Sequence, residues 1–165
     1  MRTRKSFQSR HAAYLLKALP AGNTRTTQRV EAMLAGQNRL LEMVAQGESL
    51  TQILEAACQL VEELSGECLC SILLLGADGK RFTHGAAPGI PEIYVETVKT
   101  LDIATCWGPC AKAACYGEQV IASDIKADPQ WAGCRDLLLA HGLQSCWSTP
   151  IFSSGGKVLG RVFKV

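Results

Sequence analysis

The chain lacks any long hydrophobic run. No stretch approaches 18 consecutive apolar residues, so no segment has the reach of a membrane-spanning helix. Near the N-terminus the longest apolar run, Ala12 to Leu16, is short and broken by Tyr14, and no signal peptide follows from it. Histidine is scarce at three residues, and no Cys-His dipeptide occurs. A glycine-rich phosphate loop is missing too. Ser153-Ser154-Gly155-Gly156-Lys157 resembles one only in composition and falls between two strand-like segments. Fifteen glycines and six prolines are too few for a collagen-like or low-complexity chain. Acidic residues are absent before Glu31, where seven Lys and Arg stand; from there on, ten basic residues face fifteen acidic ones. The positive charge is therefore a tail on a mildly acidic body. That distribution argues against a nucleic-acid-binding domain, which needs a basic face on the fold itself.

What is present suits one domain with a true core: 165 residues, 47% hydrophobic and 19% charged. Eight cysteines are many for this length. An even count fits the disulfide framework of small secreted chains, but a chain with its own core and no secretion signal has no need of one. Reduced thiols in a cytoplasmic protein are the expectation, several of them acting as small hydrophobes.

Residues 1–25 read as a basic tail or linker, and residues 26–165 as the domain. From Thr26 or Thr27, apolar positions recur at Val30, Met33/Leu34, Leu41 and Val44, a helical spacing that runs to Gln46 before Gly47. This stripe needs burial by a domain face or a second copy, so a homodimer through Val30, Leu34, Leu41 and Val44 is expected. Ser49 and Gln52 form a capping box ahead of a second amphipathic helix that Gly66 stops. Cys68 to Leu75 and Lys80 to Ala86 read as strands joined by an Asp78-Gly79 turn. Residues 87–142 differ in texture, with short helices at Glu92–Val98, Cys110–Tyr116 and Arg135–Ala140 and one strand at Gln119–Ser123. Two more strands, Gln144–Phe152 and Lys157–Val165, follow. The order predicts an α+β domain: a central antiparallel sheet, the N-terminal helices on one face, and the 87–142 insert as a pocket layer of loops and short helices on the other.

The segments Gly108 to Trp131, Cys134 to Ile151 and Val158-Leu159-Gly160 resemble the GAF domain, in particular GAF modules of bacterial multidomain sensors joined to PAS, histidine kinase or diguanylate cyclase domains. The resemblance runs from about Leu40 to Val165. It implies the same antiparallel sheet, with a pocket that in the family holds cyclic nucleotides, bilins, haem, small metabolites or no known ligand. It also implies a parallel helical dimer and an output domain of histidine kinase or diguanylate cyclase type. Three departures stand out. Ile103 to Trp107 replaces a glycine-richer loop, Arg161 and Lys164 stand in the last strand where apolar or small residues are usual, and a C-terminal signalling helix is missing. Neither the thiol-plus-histidine pattern of bilin-binding relatives nor the Asn-Lys-Phe-Asp-Glu signature of cyclic-nucleotide relatives is matched.

Several side chains suggest chemistry. Cys106 and Cys110 are spaced one residue too far for a thioredoxin site, although both are candidate reactive thiols, Cys110 above all because it stands at a helix start. Cys68 and Cys70 alternate within a strand, a poor arrangement for a metal, so no metal site is expected. Asp128-Pro129 starts a turn that delivers Trp131, whose ring offers either ligand stacking or packing. In the last-but-one strand Trp147 shares a face with Ser145, Thr149 and Ile151, a mixture that suits a pocket. Trp131, Trp147, Thr105, Asp124, Asp128, His84 and Thr149 are therefore the expected ligand contacts. The ligand is an unknown small molecule or none. The function expected is a non-enzymatic sensory or regulatory input domain. The alternatives are a ligand-free dimerisation spacer and, in the minority, a cysteine-based free methionine-(R)-sulfoxide reductase.

Overall fold

The computed structural model describes residues 24–100, 102–104, 109–133 and 135–165. Helix α1 (Thr24–Gln46) ends at Gly47, whose φ of 73° only glycine adopts freely. The chain divides into two compact units inside this helix, the second being Arg39–Val165. The tail expected at residues 1–25 lies almost wholly outside the described residues.

Local chemistry sets the next helix. The Ser49 hydroxyl accepts from the Gln52 backbone N–H at 3.3 Å, and the Gln52 side chain accepts from the Ser49 N–H at 3.1 Å. With two orphan donors satisfied, α2 (Leu50–Ser65) starts cleanly. It stops at Gly66, whose N–H returns to the Glu62 carbonyl. One stripe of α2 (Leu54, Ala57, Cys58 and Val61) packs on Cys70, Ile72 and Ala86 of the sheet. The Glu62 carboxylate also accepts the Cys70 backbone N–H at 2.8 Å, tying the end of α2 to the first residue of β1.

Among the described residues five strands form the sheet: β1 (Cys70–Leu75), β2 (Phe82–Ala86), β3 (Val120–Ala122), β4 (Cys146–Phe152) and β5 (Val158–Lys164), in spatial order β2-β1-β5-β4-β3. Every neighbouring pair is antiparallel. Tight turns close both hairpins. Gly79 (φ 68°) and the Asp78 carboxylate, which accepts from the Lys80 N–H, shape the first; Gly156 (φ 80°) and Ser153 shape the second. The apolar run from Cys68 begins earlier than the ladder, because Cys68 still belongs to the turn and donates to the Gly66 carbonyl.

The face opposite α2 is covered by α3 (Glu92–Thr100), α4 (Pro109–Tyr116), a 3-10 turn (Pro129–Trp131) and α5 (Arg135–Ala140). These elements lower Tyr94, Val98, Ala111, Trp131 and Leu138 onto Leu73, Cys146 and Phe163. The sheet is therefore sandwiched, as the element order predicts, with a small core under α2 and a larger one under the insert.

Strand β1 is pressed from both sides. A side chain on Gly85 of β2 would collide with the Ile72 carbonyl, and one on Gly160 of β5 with the Leu73 carbonyl and, at 2.9 Å, with the Leu74 Cα. Gly160→Ala should therefore lower stability by about 1–3 kcal/mol, seen as a lower urea midpoint at unchanged slope. Gly155→Ala, in open turn space, should change it by less than about 0.5 kcal/mol.

Candidate functional site

Alternation along β5 sends Arg161 and Phe163 toward the insert. Register then places Ser71 of β1 and Ser148 of β4 on either side of Phe163, and Leu73 and Pro150 on either side of Arg161. Arg161 is 0% exposed. Its guanidinium carbon lies 4.7 Å from the Phe163 ring centroid and 5.3 Å from that of Phe82. Desolvated cation–π contacts of this kind contribute about 2 kcal/mol each, against a penalty of several kcal/mol for removing the charge from water. The deficit is not met by hydrogen bonding, because Nε, Nη1 and Nη2 all lack a partner among the described residues.

Arg161 has company. The buried hydroxyls of Ser71 and Ser148 are also unpartnered. Trp131 is wholly enclosed, its ring 6.5 Å from that of Phe163, and its Nε1–H reaches no acceptor. Arg135 donates through Nη2 to the Asp128 carbonyl at 2.9 Å but leaves its buried Nε unpaired. Each of these orphans carries a hydrogen to donate. Buried polar groups are nearly always paired, so Arg161, Ser71 and Ser148, which share one face of three adjacent strands, are an exception that calls for a reason.

The expected ligand contacts are distributed differently from the sequence reading. Trp131 does lie in the layer, but with its ring enclosed it packs the 3-10 turn onto Phe163 and offers the layer only its N–H. Asp128 caps that turn by accepting from the Gln130 N–H at 2.9 Å, and Asp124 accepts from the Lys126 and Ala127 N–H groups. In each, Oδ1 is taken by backbone N–H groups. Trp147 and Thr149 lie on a different face of the sheet from the one expected. Cys146 and Ser148 face the insert, so by alternation Trp147 and Thr149 face the other side of the sheet. There Trp147, 45% exposed, stands opposite Lys164 and Ile121 in a groove of about 420 Å³ that also involves Cys68 and Ser145. Thr149 accepts from the Gln119 side chain at 2.9 Å. His84 holds the register position opposite Leu74, its side chain outside the described part. Thr105 and Cys106 lie outside the described residues, and Cys110 is placed only as the second residue of α4.

Sequence reasoning missed Arg161, Ser71 and Ser148 as site residues. A signal existed: Arg161 shares strand parity with Phe163, and a basic residue there departs from what the family resemblance leads one to expect.

The thiols play another part. Cys58 and Cys70 are both fully buried between α2 and β1, and Cys58 also directs its sulfur at the Ala86 carbonyl, 3.6 Å away. The hydrogen bond with Cys58, and then burial, hold the Cys70 thiol far above the ordinary thiol range, so it stays protonated and unreactive. Cys146 is buried under the insert, whereas Cys115 is exposed and Cys68 half-buried. Brief iodoacetamide treatment of the native protein should thus alkylate Cys115 and Cys68 and spare Cys58, Cys70 and Cys146. Peptide mass mapping before and after unfolding reads this directly.

Antiparallel sheet, helix below and short-helix cover above define an α+β architecture whose covered face holds the buried polar side chains. A sequence profile of the GAF domain matches residues 47–164, and the chain belongs to the GAF domain family. It is 38% identical over 136 residues to the methyl sulfide methyltransferase-associated sensor of Methanosarcina acetivorans, covering 81% of this chain but only 14% of that protein. The fold is also that of the free methionine-R-sulfoxide reductase of Neisseria meningitidis (TM-score 0.60, 16% identity, 87% of this chain and 76% of that one). The GAF domain of a Coxiella burnetii phosphoenolpyruvate-protein phosphotransferase is similar as well (TM-score 0.59, 16% identity, 81% and 77%). At these identities the structural likeness is one of fold alone.

Proposed function

We propose that this chain is a non-catalytic sensory or regulatory GAF module that binds a small molecule between the sheet and the 87–142 insert. One observation carries the reading: the buried, unpartnered side chains of Arg161, Ser71 and Ser148 on the sheet face beneath the insert. The sensor name of the Methanosarcina protein supports it. The same reading makes the module part of a cytoplasmic signalling protein, with an output domain of histidine kinase or diguanylate cyclase type. Among the described residues no helix is long and apolar enough to cross a membrane.

The reading also assigns dimerisation to α1. Val30, Leu34, Leu41 and Val44 are all exposed on that helix, although each is a large hydrophobe. A pair of such helices side by side would bury the stripe, whereas one alone leaves it in water.

The reductase reading draws on the fold of the Neisseria enzyme. It requires an accessible nucleophilic thiolate at the pocket; Cys146 is buried in the core, Cys115 on α4 is exposed, and Cys106 and the Cys110 side chain lie outside the described part. Native mass spectrometry of protein taken gently from a cell extract tests the sensor reading: a defined added mass is expected, lost on unfolding. A bare domain that turns over free methionine (R)-sulfoxide with a thiol reductant would instead establish the enzyme. For the dimer, Leu34→Glu with Leu41→Glu should lower the sedimentation coefficient to that of a monomer at micromolar protein. An unchanged coefficient would place the interface elsewhere.

A further inference from the structure

We propose that the groove beside Trp147, on the sheet face turned away from the insert, is a second ligand site that takes a small planar aromatic carboxylate. The ring lies on the Trp147 indole and the carboxylate meets the Lys164 ammonium. This site is independent of the ligand proposed beneath the 87–142 insert, because the sheet separates the two.

The groove exists because α2 covers only part of its face. That helix packs on β1 and β2, against Cys70, Ile72 and Ala86. Toward β3 the cover runs out. Register sets Ile121 of β3, Trp147 of β4 and Lys164 of β5 side by side, in one row across three strands and on one face. Trp147 is 45% exposed and Ile121 59%, so two large apolar side chains in contact positions stand open to water. Glu67 and Cys68, from the turn after α2, and Ser123 and Ser145, beside the ends of β3 and β4, complete a cavity of about 420 Å³. Paired backbone bonds between Leu69 and Val165, at 2.8 and 3.0 Å, carry the β1–β5 ladder past Lys164 and fasten that turn to the strand end. The volume is in the range of small-molecule sites, and every wall is tied to the sheet.

The lining selects the chemistry. An indole is a broad, flat, rigid surface, and aromatic rings stack on it with a gain beyond the area they bury. Lys164 stands directly opposite Trp147 on the neighbouring strand, half-buried and in no ion pair among the described residues. Adjacent strands are about 4.8 Å apart, so an acid carried a short arm's length from a ring reaches the ammonium while the ring stays on the indole. Glu67 is the other charged group of the groove. Its carboxylate opposes a dianionic phosphate or a nucleotide more than a single carboxylate, which leaves an aromatic monoacid as the favoured occupant.

The test titrates the whole chain calorimetrically with three probes: indole-3-acetate, its neutral amide indole-3-acetamide, and cyclohexylacetate, which keeps the acid and lacks the flat ring. Alkylation by iodoacetamide locates the binding, because Cys68 lines the groove and the exposed Cys115 on α4 does not. At about four times its dissociation constant, indole-3-acetate should slow alkylation of Cys68 about fivefold and leave the rate at Cys115 unchanged. The amide and the cyclohexyl acid should each bind at least about tenfold more weakly. Lys164→Met and Trp147→Leu should weaken indole-3-acetate by a similar factor, with melting temperatures close to that of wild type. If a variant does not fold, the protection of Cys68 in wild type by the three probes decides alone. No heat and no protection of Cys68 at roughly 5 mM indole-3-acetate overturns the site. Binding that leaves Cys68 fully reactive, or that survives both substitutions, places the ligand elsewhere and overturns it too. Equal binding of the amide refutes the carboxylate, and equal binding of the cyclohexyl acid refutes the ring. Variants that sediment as monomers where wild type is a dimer would make the groove a contact between copies, and the proposal fails.

Discussion

A positive charge that water cannot reach, laid against two phenyl rings and given no acceptor, is the constraint around which the larger core is arranged. Burying Arg161 is costly, and nothing in the strands on either side of β5 relieves the cost: Leu73 and Pro150 are apolar, and Ser71 and Ser148 bring more unpaired hydroxyls. A sheet selected for stability alone would carry a leucine there, since exchanging buried charges for well-packed apolar groups is commonly neutral or stabilising. Violations of this kind are expected where function overrides stability. The two faces of the sheet show the contrast. Under α2 the capping box, the Glu62–Cys70 bond and the Cys58 thiol all find partners, and that face is a finished core. Under the insert, donors accumulate without acceptors.

The two faces also differ in how they are closed. A single amphipathic helix meets β1 and β2 with one regular stripe. The other cover is assembled from α3, α4, a 3-10 turn and α5, with Asp124 and Asp128 shaping the bends between them. Short elements linked by capped turns can shift against one another more cheaply than a continuous helix, because each boundary holds a few local hydrogen bonds instead of an uninterrupted ladder. The layer that lacks an acceptor is thus the one whose roof is made of separable pieces. Fold likeness alone carries no such information, since the same scaffold serves a reductase and the GAF domain of a phosphotransferase; the chemistry resides in the side chains that the sheet presents.

Much of this fold was legible in the sequence, and the reason is that its signals are local. Ser49 and Gln52 announce α2, Gly66 ends it, Asp78-Gly79 marks the first hairpin, and Arg135–Ala140 stands as a helix where the sequence suggests one. The 3-10 turn at Pro129–Trp131 was legible only as a bend. Strand order was not legible at all, because periodicity records which residues share a face and says nothing about which strand lies beside which. The same gap misplaced Trp147 and Thr149. Alternation grouped them correctly with each other, but no local feature tells which face receives the insert, and their face turned out to be the other one. Arg161 was hidden for a related reason: a basic residue in a strand ordinarily points to solvent, and only the central position of β5 forces it inward.

That central position has a bearing on how the protein is made. Of the five strands β5 is the last to leave the ribosome, yet it lies in the middle of the sheet and is the sole link between β2-β1 and β4-β3. Until it emerges, β1 and β4 each present an open row of backbone donors and acceptors, and the nascent chain is two unjoined fragments with adhesive edges. Closure then proceeds on both sides of one seven-residue segment, Val158–Lys164, and the unpaired cation enters the interior in the same step. Protection of those waiting edges during synthesis, more than the stability of the finished domain, would set the yield of folded protein in a cell.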